Sequence, residues 1–356
     1  MKLSPARATA KRAPLVTVVV PCYNYGHYLR ACVESIVSQP GVETDVLIID
    51  DASTDNSAEV AAQLADQVSQ VRFVHHALNK GHIATYNEGL VTVDSDYVVL
   101  LSADDLLAPG ALGRATALME ANPSVGLTYG NPQLFSETPV EHRPRFTSWS
   151  VWGGDRWIEA QFKRSLSIIY SAEAVVRTSV HHAAGYYRPE LPHSGDLEMW
   201  LRIASISDVG RVNGADQAYR RDHAASMMRT HFASAVEDLR RRDDAYESFL
   251  ATAGADLPSI DRLRATVRRG MSRETIEWAL SNRDAADPAQ IAAAVSFAEE
   301  LNPEYSSLRV WREFARLNGS PGTPVGPVSR LAAWYDANAR DISNSYHWRR
   351  WRYFGV

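Results

Sequence analysis

A chain of 356 residues, with 45% hydrophobic and 22% charged residues, is long enough for one large domain or for a domain with a smaller addition. Its formal net charge of -5 disfavours a nucleic-acid-binding protein, which usually carries an excess of basic residues. The two cysteines, Cys22 and Cys32, have a spacing that suits neither a metal site nor a redox pair, which favours a reducing compartment.

Residues 1–14 are basic and rich in small side chains, and they lack the apolar core of a signal peptide. We therefore predict a disordered lead over this stretch. No apolar run in the sequence is long enough to cross a bilayer. Together these features predict a cytoplasmic protein.

Short apolar runs alternate with helical patterns through the part of the chain that ends near residue 130. The predicted strands cover residues 15–20, 46–49, 71–75, 98–101 and 125–129. The predicted helices cover residues 29–37, 58–68 and 111–120, with one more within 79–90. This alternation predicts an α/β fold with a mostly parallel sheet that is flanked by helices on both faces.

Polar residues follow three of these strands at their carboxyl ends, at 22–24, at 50–51 and at 104–105. Right-handed crossovers place the carboxyl ends of parallel strands at one edge of the sheet, so we expect these residues to line one crevice. The adjacent acids Asp104 and Asp105 are costly to bury unless a positive charge lies beside them. A divalent cation is a common partner for such carboxylates, so the pair predicts a metal site.

The loop after the first strand excludes two classes of nucleotide-binding protein. It lacks the Gly-x-Gly-x-x-Gly pattern of dinucleotide-binding dehydrogenases, and the chain has no Gly-x-x-x-x-Gly-Lys-Ser/Thr loop. A sugar nucleotidylyltransferase would need a glycine-rich, basic loop where this chain has PCYNYGHYL at 21–29.

Four segments, taken in order, resemble the family 2 glycosyltransferases of the GT-A fold. They are PCYN at 21–24, IIDDASTD at 48–55, NKGHIATYNEGL at 79–90 and LLSADD at 100–105. The resemblance implies a GT-A, Rossmann-like domain over 15–229, with a nucleotide half near 15–130 and an acceptor half near 131–229. It also implies a metal-dependent, inverting transfer of one sugar from a nucleotide-diphosphate sugar to a hydroxyl acceptor.

The resemblance assigns contacts with the nucleotide. It places the ring of Tyr23 against the base, with Pro21 and Asn24 beside it. Asp51 would accept a hydrogen bond from the base imide, which favours UDP or dTDP as the carrier. Lys80 would supply positive charge near the diphosphate.

The resemblance also assigns the metal and the diphosphate partners. Asp104 and Asp105 would hold the ribose and a Mn²⁺ or Mg²⁺ ion, with His223 as a further metal ligand. Arg220 or Arg221 would contact the diphosphate. The ion would neutralise the diphosphate as it leaves, which is the Lewis-acid role of a catalytic metal.

Asp196 is the predicted general base, because an inverting transfer needs one group to take the proton of the acceptor hydroxyl. The segment around it resembles the acceptor side of the family, where an acid and an aspartate precede a helix. Glu198 is the second choice, since residues two apart on a helix face different directions. The histidines at 75–76 have no partners at metal-ligand spacing, and we interpret them as non-catalytic.

The chain departs from the family pattern at three positions. Ser102 and Gly195 stand where acids are usual, and Tyr86 stands where an arginine is often found. These departures prompt an alternative hypothesis, a catalytically silent nucleotide-binding or scaffold protein of the same fold. A sugar nucleotidylyltransferase is the less favoured third hypothesis.

The second half of the chain changes in composition. Residues 130–157 are rich in Pro, Gly and Trp, which favours an active-site loop that binds the acceptor, whether a saccharide, a lipid-linked sugar or a small molecule. Amphipathic patterns at 231–250, 257–280 and 288–301 predict a helical C-terminal region over 230–356.

The end of the chain has a Pro/Gly-rich linker near 320–329 and a predicted helix at 331–339. Arginines alternate with aromatic residues over 347–356. This composition is typical of peripheral contact with the inner face of a membrane, of a homo-oligomer contact, or of docking on the catalytic domain.

Overall fold

The structure is a computed structural model that describes residues 2–4, 12–139, 148–223 and 235–317. The described residues fall into two compact units. One contains residues up to 158 together with 168–223, and the other contains 159–167 and 235–317.

The first unit is built on a single sheet. Its strands in the described part of the chain, labelled β1 to β10 in chain order, are Lys2–Ser4, Leu15–Cys22, Glu43–Asp50, Val71–His75, Tyr97–Leu100, Leu106–Leu107, Val125–Phe135, Ser148–Trp152, Val175–Arg177 and Asp208–Arg221. They are ordered β1-β8-β10-β7-β9-β5-β2-β3-β4 across the sheet, and β6 pairs with β10.

The sheet is mixed, with two parallel blocks. Strands β4, β3, β2 and β5 run parallel to one another, and so do β7 and β10. Strand β9 joins the two blocks by antiparallel pairing with β5 and with β7. The mostly parallel sheet predicted from the alternating pattern is confirmed, and its parallel strands end along one edge.

The helices that begin before residue 223, labelled α1 to α7, are Gly26–Val37, Ser57–Gln67, His82–Val91, Ala111–Ala121, Gly154–Arg164, Thr178–Ala184 and Gly195–Ile206. A short 3₁₀ helix covers Ser171–Glu173. Apolar side chains of α1 pack with β-branched residues of β2 in one core, and Leu29, Ile36, Val18 and Val20 are all 0% exposed. Each such burial stabilises the fold by about 1.5–3 kcal/mol.

The segment 130–157, which we predicted to be an active-site loop, is largely regular structure, so that prediction was wrong. Strand β7 continues to Phe135, β8 forms from Ser148 to Trp152, and α5 begins at Gly154. The indoles of Trp149, Trp152 and Trp157 are at most 3% exposed. The tryptophans of this segment are core residues: Trp149 and Trp152 lie on β8, which pairs with β10, and Trp157 lies on α5.

The predicted disordered lead over 1–14 includes a short edge strand. Lys2–Ser4 pairs with β8, and the guanidinium of Arg12 lies 2.7 Å from the Asp96 carboxylate. Pairing of a backbone with a sheet edge needs no particular side chains, so the composition of residues 1–14 did not reveal this edge strand.

The second unit is helical in its described residues, as predicted for the C-terminal region. Helices α8 to α11 are Ala235–Leu250, Ile260–Asn282, Pro288–Leu301 and Arg309–Leu317. Helix α10 begins where the sequence signals a start, since the Asp287 carboxylate accepts the Ala289 N–H at 2.8 Å just before Pro288. The predicted linker at 320–329, the helix at 331–339 and the aromatic end at 347–356 lie outside the described residues.

Within the described ranges, no helix combines the length and the apolar character that crossing a membrane requires.

Candidate active site

The loops after β2 and β3 are joined by hydrogen bonds at the carboxyl edge of the sheet. The backbone N–H of Asp51 donates to the carbonyl oxygen of Cys22 at 2.9 Å. Asn24 has a left-handed backbone with φ of 60°, which asparagine tolerates well. Its side-chain oxygen accepts the N–H of Thr54 at 2.8 Å, and its own N–H donates to Ser53 Oγ at 2.9 Å. The predicted nucleotide contact Asn24 therefore joins these two loops.

Tyr23 and Pro21 lie at the end of β2. The Tyr23 side chain is 47% exposed, so its ring is open to a ligand. The hydrogen bond from the Asp51 N–H to the carbonyl oxygen of Cys22 places Asp51 beside the backbone that leads into Tyr23. The structure thus brings together a free aromatic face and a carboxylate, as the contacts predicted for the base require.

Asp51 is 4% exposed, and both of its carboxylate oxygens have partners. Oδ1 lies 2.8 Å from His76 Nδ1 and accepts the backbone N–H of Lys80 at 2.8 Å. Oδ2 accepts the backbone N–H of Gly81 at 2.9 Å. Burial raises the pKa of this carboxyl, but the contacts with His76 and the two N–H groups outweigh burial and lower the pKa. Asp51 is therefore held in its charged, accepting form.

The ammonium group of Lys80, a predicted diphosphate partner, lies 2.6 Å from Glu88 Oε2. The other oxygen of Glu88 lies 3.2 Å from Nε2 of His76. Sequence reasoning missed His76, because we searched the histidines at 75–76 only for metal-ligand spacing. No local pattern shows that β4 and α3 place this imidazole between Asp51 and Glu88.

Asp104 and His223, both predicted metal ligands, face each other across the ends of β6 and β10. His223 Nε2 lies 2.9 Å from Asp104 Oδ2. Ser102, which stands where the family usually has an acid, donates its hydroxyl hydrogen to Asp104 Oδ1 at 2.5 Å. The ring of Tyr25 packs edge-on against the imidazole, with centroids 5.6 Å apart. These contacts orient a carboxylate and an imidazole toward the same point.

Asp105, the third predicted metal ligand, is 7% exposed, and its Oδ1 accepts the backbone N–H of Arg221 at 2.8 Å. Burial and the neighbouring charge of Asp104 raise the pKa of Asp105, while the Arg221 N–H opposes this rise. In the part of the chain that the structure describes, no group of three or more His, Cys, Asp or Glu side chains is arranged to hold a metal ion.

Asp104 and His223 nevertheless fit a divalent cation that takes its remaining ligands from elsewhere. Carboxylate oxygen and imidazole nitrogen are ligand types that Mn²⁺ accepts. Magnesium-type sites in nucleotide enzymes commonly use one or two protein groups, with phosphate oxygens and water as the other ligands. A cation would also relieve the repulsion that raises the pKa of Asp105.

Arg221, a predicted diphosphate partner, is buried. Its guanidinium lies 4.2 Å from the ring centroid of Tyr28 and 4.3 Å from that of Phe135. Its Nε donates to the backbone oxygen of Asp104 at 3.0 Å. This guanidinium therefore fixes the segment that carries Asp104.

Arg220, the other predicted diphosphate partner, points to the opposite face of β10, because successive side chains of a strand alternate. Its guanidinium lies 4.5 Å from the ring centroid of Tyr170. Its positive charge acts to lower the pKa of Asp105. Within the described ranges its guanidinium has no ion pair with a carboxylate, so Arg220 is the better placed of the two to meet an anion.

Asp196, the predicted base, lies in the first turn of α7 and is partly exposed. The hydroxyl of Tyr187 donates to its Oδ1 at 2.8 Å, and the backbone of Ser171 also forms a hydrogen bond with it. Burial raises the pKa of Asp196 and outweighs these two hydrogen bonds, which lower it. A carboxylate with a raised pKa is a stronger base, as proton removal from a hydroxyl requires.

Tyr86 links the predicted base to the predicted metal ligands. Its ring packs edge-on against Tyr187, with centroids 5.7 Å apart. Burial, followed by the negative charges of Asp196 and Asp104, raises the pKa of its phenol, so Tyr86 is neutral at ordinary pH. Sequence reasoning missed Tyr187, since only the fold brings it to Asp196.

Glu198, the second choice for the base, has a different environment. Its side chain is 0% exposed. Oε1 accepts from Arg188 Nε and Oε2 from Arg202 Nε, both at 2.8 Å. Both oxygens are engaged with guanidinium groups, so the carboxylate has no open edge for an acceptor hydroxyl.

The geometry agrees with the comparison against protein families. Residues 17–184 match the model described as glycosyl transferase family 2. These residues form a family 2 glycosyltransferase domain. The predicted family is thereby confirmed, and the three polar strand ends at 22–24, 50–51 and 104–105 lie inside the matched range.

Curated relatives agree with the family 2 assignment. "Uncharacterized glycosyltransferase YibD" of Escherichia coli K12 is 37% identical over 187 residues, which are 49% of this chain and 54% of YibD. "Chondroitin synthase" of Escherichia coli is 35% identical over 207 residues, which are 58% of this chain and 29% of that protein. The chain thus spans about half the length, or less, of these relatives.

Among solved structures, Staphylococcus aureus TarS 1-349 in complex with UDP-GlcNAc superposes with a TM-score of 0.62. The alignment covers 88% of this chain and 94% of TarS 1-349 at 14% identity. The likeness therefore concerns the fold, and it confirms the predicted GT-A architecture for the family 2 domain.

Proposed function

We propose that this chain moves one sugar from a nucleotide-diphosphate sugar to a hydroxyl acceptor by direct, inverting displacement with the help of a divalent cation. The observation that carries the proposal is the arrangement around Tyr86. Its ring packs against Tyr187, whose hydroxyl donates to Asp196, the carboxylate with a raised pKa. Burial, followed by the negative charges of Asp196 and of Asp104, which faces His223, raises the pKa of the Tyr86 phenol. A base and a cation site near one ring suit a displacement reaction.

The nucleotide would bind at the ends of β2 and β3. The exposed ring of Tyr23 would stack on the base, and the charged Asp51 carboxylate would accept a hydrogen bond from the base imide. Uracil and thymine carry this imide N–H and cytosine does not, so UDP or dTDP is the favoured carrier.

The diphosphate would lie between Asp104 and Arg220. Asp104 and His223 would hold Mn²⁺ or Mg²⁺, and the bound ion would supply positive charge for the leaving diphosphate. Arg220 would add a guanidinium on the other side, and Lys80 would add an ammonium once the diphosphate competes with Glu88 for it.

Asp196 would take the proton of the acceptor hydroxyl as its oxygen attacks the anomeric carbon. The bond from that carbon to the diphosphate oxygen breaks at the same time, so the sugar inverts and no covalent enzyme intermediate forms. The hydroxyl of Tyr187 would keep the carboxylate of Asp196 pointed at the acceptor. The acceptor class is a saccharide, a lipid-linked sugar or a small molecule.

The test is release of nucleoside diphosphate from a panel of UDP- and dTDP-sugars, with and without Mn²⁺, using simple glycosides as acceptors. The expected result is cation-dependent release with at least one donor, and a product of inverted anomeric configuration by NMR. Nucleotide binding without release from any donor would favour the catalytically silent protein instead. A product that retains configuration would contradict the direct displacement.

A further inference from the structure

Four polar side chains form a continuous series of contacts that begins at Asp51, the carboxylate predicted to bind the base. Asp51 from the end of β3 contacts His76, which follows β4. His76 contacts Glu88 on α3, and Glu88 pairs with Lys80 from the loop between them. The carboxylate of Asp51 and the imidazole of His76 are buried, at 5% and 3% side-chain exposure, whereas Glu88 and Lys80 are partly open to solvent.

The imidazole of His76 bridges two carboxylates. Its Nδ1 lies 2.8 Å from Asp51 Oδ1, and its Nε2 lies 3.2 Å from Glu88 Oε1. The pKa values of both carboxyls are lowered, so both groups are ionised and can only accept hydrogen bonds. Each ring nitrogen of His76 therefore faces an ionised carboxylate, Asp51 on one side and Glu88 on the other.

The contacts of Asp51 leave one acceptor position open. A carboxylate has about four lone-pair sites. Oδ1 uses two of them on His76 and on the backbone of Lys80, and Oδ2 uses one on the backbone of Gly81. The remaining site is on Oδ2, and the rotation of the carboxylate decides where it points.

We propose that His76 is a positioning residue for nucleotide recognition: it fixes the Asp51 carboxylate so that the free site on Oδ2 meets the imide N–H of a uracil or thymine base. This inference rests on the proposed function, because it takes a pyrimidine nucleotide as the ligand at Asp51. Glu88 holds the second ring nitrogen and keeps the imidazole in the plane that serves Asp51. The N–H groups of Lys80 and Gly81 donate one hydrogen bond to each oxygen of Asp51, and the side chain of His76 adds a second contact to Oδ1.

Two variants of His76 separate positioning from simple packing. In His76→Asn the amide nitrogen replaces Nδ1 and keeps the donor to Asp51, whereas in His76→Gln it replaces Nε2 and keeps the donor to Glu88. Dissociation constants for UDP and CDP are measured by calorimetry. We expect His76→Gln to raise the dissociation constant for UDP about tenfold, which is the usual cost of losing a charge-assisted hydrogen bond. Its dissociation constant for CDP should stay within about twofold of that of the unsubstituted protein. His76→Asn should retain UDP affinity to within about threefold of the unsubstituted protein.

His75 offers a matched control. It ends β4, and its Nδ1 lies 2.9 Å from Oδ2 of Asp50, which ends β3, but its side chain is 49% exposed. His75→Ala should leave the preference for UDP over CDP unchanged. Glu88→Gln removes the second carboxylate without altering the buried ring, and it should weaken UDP by a smaller factor than His76→Gln does.

Equal UDP affinities for His76→Asn and His76→Gln, or equal weakening of UDP and CDP, would overturn the positioning role and leave the proposed function intact. Loss of the UDP preference in His75→Ala would also overturn it, because the effect would not be specific to Asp51. Failure of the unsubstituted protein to bind any pyrimidine nucleotide would overturn the proposed function, and the positioning role with it.

Discussion

The predicted nucleotide side, with Asp51, and the predicted acceptor side, with Asp196, surround their carboxylates in opposite ways. On the nucleotide side, Asp51 is surrounded by hydrogen-bond donors that outweigh its burial and lower its pKa. On the acceptor side, burial of Asp196 outweighs the donors from Tyr187 and Ser171 and raises its pKa. The first environment favours the charged carboxylate, and the second favours the protonated one, as the roles proposed for Asp51 and Asp196 require.

The same contrast holds between two acids on a single helix. Asp196 and Glu198 both lie in the first turn of α7. Arg188 and Arg202 engage both oxygens of Glu198, whereas Asp196 has a phenol and a backbone N–H as partners and an open edge. Two acids that are close in sequence can therefore have different environments, because residues such as Arg188 and Arg202 neutralise one carboxylate and not the other.

The largest expected effect is on turnover, and it tests Asp196 as the proposed base. Asp196→Asn should lower kcat about 10³-fold, since the amide cannot accept the proton of the acceptor. UDP binding should stay within about twofold, because Asp51 and Tyr23 are untouched. Initial rates and calorimetric titration measure the two quantities. Glu190→Gln, a nearby carboxylate with 64% side-chain exposure, is the control and should keep full activity.

A change of Glu198 should affect stability more than turnover. Glu198→Gln leaves the buried guanidinium of Arg202 and the partly exposed one of Arg188 short of a countercharge, so the free energy of unfolding should fall by about 3 kcal/mol. Urea denaturation measures this change. An equal loss of stability in Asp196→Asn would contradict the distinction between the two acids, as would a Glu198→Gln variant that folds normally but has no activity.

A change at the predicted cation site should lower the rate and the response to metal together. Asp104→Asn should reduce kcat/KM about 100-fold and blunt the dependence on Mn²⁺ concentration. His223→Asn, which removes the facing imidazole, should act in the same direction. Titration of Mn²⁺ into chelator-treated enzyme measures both effects. An unchanged metal response in the two variants would place the cation elsewhere.

The smallest expected effect concerns pH. Tyr187→Phe removes a hydrogen bond that favours the charged form of Asp196, so the pKa of this carboxyl should rise further. Because the base must be deprotonated, kcat/KM rises with pH through this pKa, and the acid limb of its profile should move to higher pH. The expected displacement is about half a pH unit, with little change on the alkaline side. A displacement to lower pH would contradict the assigned contact.

The positions of several parallel strands, and of the polar residues that follow them, were predictable from the sequence because they depend on local patterns. Apolar runs at 15–20, 46–49 and 98–101 predicted parallel strands, and the polar residues that follow them lie together as expected. The helices after residue 230 were predictable for the same reason, since their periodic apolar faces are local features.

The partners of these residues were not predictable, because they come from distant parts of the chain. His76 acts on Asp51, Tyr187 on Asp196 and His223 on Asp104, across separations of 25, 9 and 119 residues. The tryptophans of 149–157 looked like ligand contacts by composition and proved to be core, because only strand pairing decides which face of a strand is buried.

By itself, then, the sequence determined the family, the positions along the chain of the strands up to residue 129, and the acids at their ends. The tertiary structure decided which acid has a lowered pKa, which has a raised pKa and which is paired with two guanidinium groups. The physical reason is that the pKa and orientation of a carboxylate depend on the donors, charges and burial around it, and the fold gathers these from several elements.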